Sequence, residues 1–211
     1  MERASLRVEH GQDLLQERRK DLDTQSLTEE PISTIVLPQR TLIVLCGPAG
    51  SGKSTFARKF VEQHQVQGCR STSIVSSDYC RALVCDDETN QQVNRDAFDL
   101  FYYIIRKRLF QGRLTIADST AIQANARQTL VEIARCCRYR SCLVVFNTSL
   151  QTCLTRDQHQ TRGRMVGEKV ISYHWQILQQ ALLEIPHEGW DEIVVLDEQH
   201  GDVDIEIMPS I

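Results

Sequence analysis

The sequence lacks several features that define whole classes of protein. No run of apolar residues approaches the roughly 20 that a membrane-spanning helix needs, and the N-terminus lacks the apolar segment of a signal peptide. The eight cysteines include no Cys-x-x-Cys pair and no zinc-ligand spacing with histidine. These absences argue against a transmembrane helix and a zinc site, and they predict a reduced, cytoplasmic setting.

Lysine and arginine are absent from residues 183–211, which carry 9 acidic side chains. Residues 41–182 carry 18 basic and 11 acidic side chains, a net charge of +7, and residues 1–40 carry 6 basic and 8 acidic ones. The formal net charge of −4 for the whole chain would by itself argue against a nucleic-acid partner. Because the charges of the segments are opposed, that argument fails, and the central segment is basic enough to suit such a partner.

Apolar runs alternate with helical patterns through most of the 211-residue chain. The pattern predicts strands at 41–46, 72–76, 114–117, 142–146 and 192–196, and helices that end near 65 and span 94–110 and 123–138. Such alternation is typical of an α/β fold, a parallel β-sheet flanked by helices. Residues 1–31 are expected to form a polar leader, either an exposed helix or disordered, and residues 32–211 a single domain.

Residues 47–54 read Gly-Pro-Ala-Gly-Ser-Gly-Lys-Ser and fit the phosphate-binding pattern G-x-x-x-x-G-K-[ST]. Backbone N–H groups of such a loop converge on phosphate oxygens, Lys53 would bridge the β- and γ-phosphates, and the Ser54 hydroxyl would bind Mg²⁺. A Gly-rich turn can match by chance, but the position between an apolar strand and a helix favours a P-loop. The nucleotide-binding residues predicted from this loop are Gly47, Gly50, Ser51, Gly52, Lys53, Ser54 and Thr55.

Acidic and basic side chains follow the next two predicted strands. Asp78 could accept the proton of an attacking hydroxyl, and Arg81, three residues on, could bind an acceptor anion. The alternative is that Asp78 caps a helix and pairs with Arg81. Asp118 could steady the Mg²⁺ shell or contact the acceptor, or else cap the following helix, and Arg127 could reach the acceptor or be a surface charge.

Three arginines follow the fourth predicted strand, at Arg156, Arg162 and Arg164. Arginines in a mobile segment can close over phosphates and neutralise the charge that develops during transfer. The alternative is a solvated polar loop. We predict a lid, and we leave open which of the three reaches the γ-phosphate.

With these residues in view, the chain resembles the 5′-OH polynucleotide kinase family, above all its bacterial RNA end-repair members. Besides the P-loop, the resemblance rests on Ser-Ser-Asp-Tyr-Cys-Arg (76–81), Gly-Arg-Leu-Thr (112–115), Asp-Ser-Thr (118–120) and Glu-Gly-Trp (188–190). It implies a P-loop kinase fold with an arginine-bearing lid. It also implies Mg²⁺-dependent transfer of the γ-phosphate of ATP or another NTP to the 5′-OH end of RNA or DNA.

The resemblance further implies a role for each site residue. Asp78 would be the general base on the ribose 5′-OH, Arg81 would bind the neighbouring acceptor phosphate, and Lys53 and Arg156 would act on the donor phosphates. The family's lid carries an arginine one helical turn after the position of Arg156, and that place is Gln160 here. Arg162 and Arg164 both fit the last lid position. No Lys-x-Asp-Gly ligase motif is present, so a kinase without a ligase module is expected.

Two other functions fit the same residues. A P-loop kinase for a small molecule would also place an acid after the second strand, and a regulatory module would bind NTP without turnover. Under the leading hypothesis the partner is a 5′-OH nucleic acid and not a membrane, and a homodimer is left open.

Overall fold

The computed structural model describes residues 34–159, 165–198 and 204–208; the leader expected at residues 1–31 lies outside these ranges. The strands of the described part are β1 (Thr34–Pro38), β2 (Thr41–Cys46), β3 (Ile74–Ser76), β4 (Thr115–Asp118), β5 (Arg140–Phe146), β6 (Glu192–Leu196) and β7 (Asp204–Met208). The helices are α1 (Lys53–Gln63), α2 (Ser77–Cys85), α3 (Asn94–Phe110), α4 (Ala124–Cys136), α5 (Leu150–Gln158) and α6 (Glu168–Glu184). Short 3₁₀ turns lie at Ser71–Ser73, Gln91–Val93 and Ile185–His187.

The central sheet has five parallel strands in the order β3-β4-β2-β5-β6. Every residue of β2 is buried, as a central strand covered on both faces requires. The strand register aligns Leu45 of β2 with Asp118 of β4, and Asp118 with Ser76 of β3. The carboxyl ends of these three strands therefore lie side by side, at the edge of the sheet where α/β proteins bind ligands.

Two apolar clusters cover the two faces of the sheet. On one face, α3, α4 and α6 pack Phe101, Leu130 and Leu178 against β2 and β5. On the other face, Phe60 of α1 packs with residues of a separate parallel pair, β1 and β7. The sheet is thus a buried central layer between two outer layers, which confirms the predicted α/β fold.

The predicted elements agree closely with the observed ones. β2, α3 and β6 have the predicted bounds. The second predicted strand is shorter, because residues 71–73 form a 3₁₀ turn before β3. β1 and β7 were not predicted.

Within the described ranges, no helix is both long enough and apolar enough to cross a membrane. All eight cysteines fall in this part of the chain, and each is a free thiol.

Candidate active site

The P-loop connects β2 to α1 and depends on two glycines with positive φ. Gly50 has φ +76°, and a Cβ at this position would lie 2.4 Å from the carbonyl oxygen of Cys153 in α5. Gly52 has φ +105° and is the N-cap residue of α1. Larger residues are therefore disfavoured at both positions because the backbone is left-handed there, and at Gly50 also because the loop is packed against α5.

The N-terminus of α1 carries the features of an anion site. Its cap makes no side-chain hydrogen bond, and its first turn contains no acidic residue, so the positive end of the helix dipole is not neutralised by a side chain of the helix. Lys53 is buried beside it, and its Nζ donates to the carbonyl oxygens of Gly47 (2.8 Å) and Pro48 (2.7 Å). These groups together offer backbone N–H donors and one ammonium to a phosphate chain.

Burial lowers the pKa of Lys53, and the carboxylates of Asp118 and Asp78 oppose that shift. Both acids therefore act electrostatically on the P-loop lysine, as expected from the aligned ends of β3, β4 and β2. The predicted gathering of Lys53, Asp78 and Asp118 at one crevice agrees with this geometry.

The other predicted P-loop residues differ in exposure. Ser51 is buried, its hydroxyl accepts from Lys53 Nζ at 3.4 Å, and its carbonyl accepts from Thr148 at 3.1 Å. Ser54 is half-buried in the first turn of α1. Thr55 is exposed, and its hydroxyl accepts from Arg58 at 3.4 Å.

The predicted acceptor residues lie on α2, which follows β3 without a loop. Ser76 is the N-cap residue, and its hydroxyl accepts from the backbone N–H of Tyr79, so the cap is Ser76 and not Asp78. Asp78 is exposed in the first turn and forms an ion pair with Arg81 at 2.7 Å. Of the alternative interpretation, in which Asp78 caps a helix and pairs with Arg81, the structure shows the ion pair but not the cap.

Arg81 is buried and held by three partners. Its Nη1 donates to Asp78 and to the carbonyl oxygen of Glu88 (2.7 Å), and its Nε donates to Asn94 (2.8 Å) at the start of α3. The Nη2 nitrogen lies outside these contacts. Sequence reasoning missed Asn94, although a polar side chain at the start of a strong helix was a signal that could have found it.

Asp118 is the last residue of β4 and is buried. The N-cap residue of the next helix, α4, is Gln123. Asp118 therefore does not cap α4, which removes one of the two alternatives for this residue.

The structure corrects the prediction for Arg127. The side chain is fully buried, whereas one interpretation made it a surface charge and the other an acceptor ligand. Its guanidinium donates to both carboxylate oxygens of Glu188 and to the carbonyl oxygens of Ala121 and Ile122. An internal ion pair of this kind leaves no exposed donor for an acceptor phosphate.

Arg156 of α5 is exposed and lies against the P-loop. Its Nη1 donates to the carbonyl oxygens of Gly50 (3.4 Å) and Ser51 (3.5 Å). The other two predicted lid arginines, Arg162 and Arg164, fall outside the described residues together with Gln160.

The residues at the crevice fit a magnesium ion bound with a nucleotide. Mg²⁺ takes oxygen ligands, and in phosphoryl-transfer sites it is held by one or two protein oxygens and by the phosphates rather than by a protein cage. The Ser54 hydroxyl and the Asp118 carboxylate are oxygens of that kind. In residues 34–159, 165–198 and 204–208, no group of three or more His, Cys, Asp or Glu side chains could hold a metal by itself.

A parallel sheet, a glycine-rich loop after its central strand and a buried lysine at the start of the following helix define a P-loop protein with a kinase-type fold. A family model described as an AAA domain matches residues 42–184, which is more than half of the chain. The chain belongs to this family. Comparison with curated proteins found no match.

Solved structures share the fold at low identity. A chain of the Pnkp1/Rnl/Hen1 RNA repair complex matches with a TM-score of 0.57 and 22% identity, over 70% of this chain and 46% of that one. A putative kinase from Chloroflexus aurantiacus matches with a TM-score of 0.53 and 14% identity, over 76% and 86%. The AvrRxo1-ORF1:-ORF2 complex with ATP matches with a TM-score of 0.52 and 15% identity, over 71% and 50%. The P-loop kinase fold that the resemblance implied is thus confirmed, and the chain spans about half the length of the RNA-repair chain.

Proposed function

We propose that the protein is a polynucleotide 5′-hydroxyl kinase, which transfers the γ-phosphate of ATP or another NTP to the 5′-OH end of RNA or DNA in nucleic-acid end repair. The observation that carries the proposal is the Asp78–Arg81 pair, 2.7 Å apart at the carboxyl end of β3. The Asp78 carboxylate, like that of Asp118, acts to raise the pKa of Lys53. An acid and a guanidinium are thereby presented next to the P-loop.

In the proposed reaction, Asp78 accepts the proton of the ribose 5′-OH as its oxygen attacks the γ-phosphorus. The bond between the γ-phosphorus and the β,γ-bridging oxygen breaks, which releases an NDP and leaves a 5′-phosphate. Lys53 and Arg156 stabilise the negative charge on the donor oxygens during the transfer. Mg²⁺, when bound through Ser54 and Asp118, supplies further neutralisation of the phosphates.

Arg81 is proposed to bind the acceptor's neighbouring phosphate through Nη2. Its other donors fix the guanidinium to Asp78, Asn94 and Glu88, so the phosphate site and the base are held at a constant separation. An acceptor without that phosphate loses a charge-assisted hydrogen bond. This supports an oligonucleotide acceptor over a small molecule.

The remaining predictions stand as part of the proposal. One of Arg162 and Arg164 completes the lid, the predicted P-loop residues bind the nucleotide, residues 1–31 form the leader, and the setting is cytoplasmic. The similarity in fold to a chain of an RNA repair complex supports RNA or DNA ends as the substrate.

The acceptor is tested with γ-labelled ATP and three compounds: a 5′-OH oligonucleotide, the same oligonucleotide with its 5′ end blocked by a phosphate, and a nucleoside. RNA and DNA versions are compared. We expect label on the 5′-OH oligonucleotide, none on the 5′-phosphorylated one and much less on the nucleoside. Equal labelling of the nucleoside would indicate a small-molecule kinase, and ATP binding without any labelled acceptor would contradict the proposal.

A further inference from the structure

The turn that follows β4 has an unusual backbone conformation. Ala121 has φ +45°, a region that residues with a Cβ seldom adopt, and both Ala121 and Ile122 are buried. Such a conformation persists only where the surrounding contacts hold it. The turn lies three residues after Asp118 and therefore bears on the site.

Contacts from two directions hold this turn. Arg127 Nη1 donates to the carbonyl oxygens of Ala121 (3.2 Å) and Ile122, and Cys46 Sγ donates to that of Ala121 (3.3 Å). The backbone N–H of Gly47, the first residue of the P-loop, donates to the carbonyl oxygen of Thr120 at 2.9 Å. The turn is thus a link between Arg127 and the P-loop.

Arg127 is itself held by Glu188, which lies 61 positions further along the chain. Glu188 accepts from Arg127 Nε at 3.0 and 2.8 Å and from Nη2 at 2.5 Å, and its Oε2 also accepts from Trp190 Nε1 at 3.1 Å. Burial is the largest influence and acts to lower the pKa of Arg127, but the hydrogen bonds to Glu188 and the attraction of nearby negative groups, chiefly that carboxylate, together outweigh burial and raise it. The Glu-Gly-Trp sequence at 188–190, which has no role in the proposed chemistry, supplies this carboxylate and its second donor.

We propose that Arg127 and Glu188 are positioning residues for phosphoryl transfer. Through the turn they fix the backbone N–H of Gly47, whose carbonyl oxygen is held at 2.8 Å by Lys53 Nζ. They also fix the backbone that follows Asp118. Neither residue touches the substrate. The kinetic test of this inference rests on the proposed function, because it uses the proposed reaction, whereas the test by hydrogen exchange does not.

Hydrogen exchange tests the geometric part of the inference without any substrate. In Arg127→Lys the charge remains, but a single ammonium nitrogen cannot occupy the positions of Nε, Nη1 and Nη2 at once, so the contacts to Glu188 and to the two carbonyl oxygens are not all kept. We expect the Gly47 amide to exchange at least about 10-fold faster in Arg127→Lys and in the isosteric Glu188→Gln, since its acceptor Thr120 is freed to move. The control is Arg135→Lys, because Arg135 donates to the carbonyl oxygen of Gly189 in the same region but not to the turn. Unchanged exchange at Gly47 in both variants would overturn the inference.

Kinetics separates positioning from mere stabilisation. For the same variants, measured well below their unfolding temperatures, we expect kcat to fall about 10- to 100-fold with an unchanged KM for the oligonucleotide, because the misplaced groups act on the transfer and not on acceptor binding. A purely structural role would lower the unfolding temperature and leave kcat per folded molecule unchanged, which would contradict us. If Arg127→Lys does not fold, Glu188→Gln and Trp190→Phe serve in its place. If the wild type labels no oligonucleotide, the proposed function fails, while the exchange data still decide the positioning claim.

Discussion

Arg156 Nη1 lies 3.4 Å from the carbonyl oxygen of Gly50, although the two residues are 106 positions apart in the chain. The contact joins α5, on the carboxyl side of β5, to the loop that follows β2. It places a guanidinium at the rim of the phosphate cradle. Because Arg156 is exposed, it can turn from the loop carbonyls to a bound phosphate without breaking a buried contact.

Replacement of Arg156 should weaken the chemical step. We expect Arg156→Ala to lower kcat about 100- to 1,000-fold, as loss of one preorganised donor to transition-state charge does elsewhere. Arg156→Lys should recover only part of it, because an ammonium is a single point charge. Single-turnover rates at saturating ATP measure this, with Arg106→Ala, an exposed arginine on α3, as the control. Wild-type rates in Arg156→Ala would remove Arg156 from the donor site.

Asp157, next to Arg156, should matter for stability. Its carboxylate is buried and accepts from the backbone N–H groups of Val166 (3.1 Å) and Gly167 (3.0 Å), which join the end of α5 to the start of α6. An amide cannot accept with both atoms, so Asp157→Asn should reduce the free energy of unfolding by about 1–3 kcal/mol. Urea denaturation measures it, with the exposed Asp99→Asn as the control. Equal midpoints for Asp157→Asn and the wild type would show that the contact contributes nothing.

Patterned apolar segments and the P-loop were predictable from the sequence. β2 and α3 are long apolar or strongly periodic segments, so their bounds followed from the pattern alone. β1 and β7 were missed, although Ile205 and Ile207 alternate with polar neighbours in the two-residue period of a half-buried strand. Their pairing joins opposite ends of the domain sequence, which no local pattern reports.

The site was predictable where a residue type is tied to a motif, and not where its role depends on distant partners. Lys53 and Asp78 follow from the ends of strands in a parallel sheet. The burial of Arg127 depends on Glu188, 61 residues away, and could not be read from the helix that carries it. The close approach of α5 to Gly50, which requires a glycine there, likewise could not be predicted from the P-loop motif.

The buried Lys53 should impose a specific pH dependence on stability. Its pKa in the folded chain is lowered from the ordinary value of 10.5, chiefly by burial. The unfolded chain therefore binds more protons in the window between the lowered pKa and 10.5, and stability gains from this residue as the pH rises through that window. Denaturation of the wild type and of Lys53→Met between neutral pH and pH ~10 isolates the effect, because shared groups cancel in the difference. A difference that does not change with pH, or that changes in the opposite direction, would contradict the lowered pKa.

Thiol reactivity should follow burial. Burial raises the pKa of Cys46 and Cys80 to about 11 and that of Cys142 to about 12, whereas Cys136 is exposed. Since the thiolate is the reactive form, iodoacetamide at mildly alkaline pH should modify Cys136 first and leave the three buried thiols intact. Peptide mapping by mass spectrometry gives the order. Modification of Cys46 as fast as Cys136 would show that the end of β2, directly before the P-loop, becomes accessible to the reagent in solution.

The single-turnover rate of Asp78→Asn with a 5′-OH oligonucleotide tests the central claim most directly. This change keeps the shape of the side chain and removes its capacity to accept the 5′-OH proton, and Asp99→Asn is the matched exposed control. The account predicts a loss of about 100- to 10,000-fold in the rate of transfer, with ATP affinity retained and with Asp99→Asn at the wild-type rate. A wild-type rate of transfer in Asp78→Asn would contradict it.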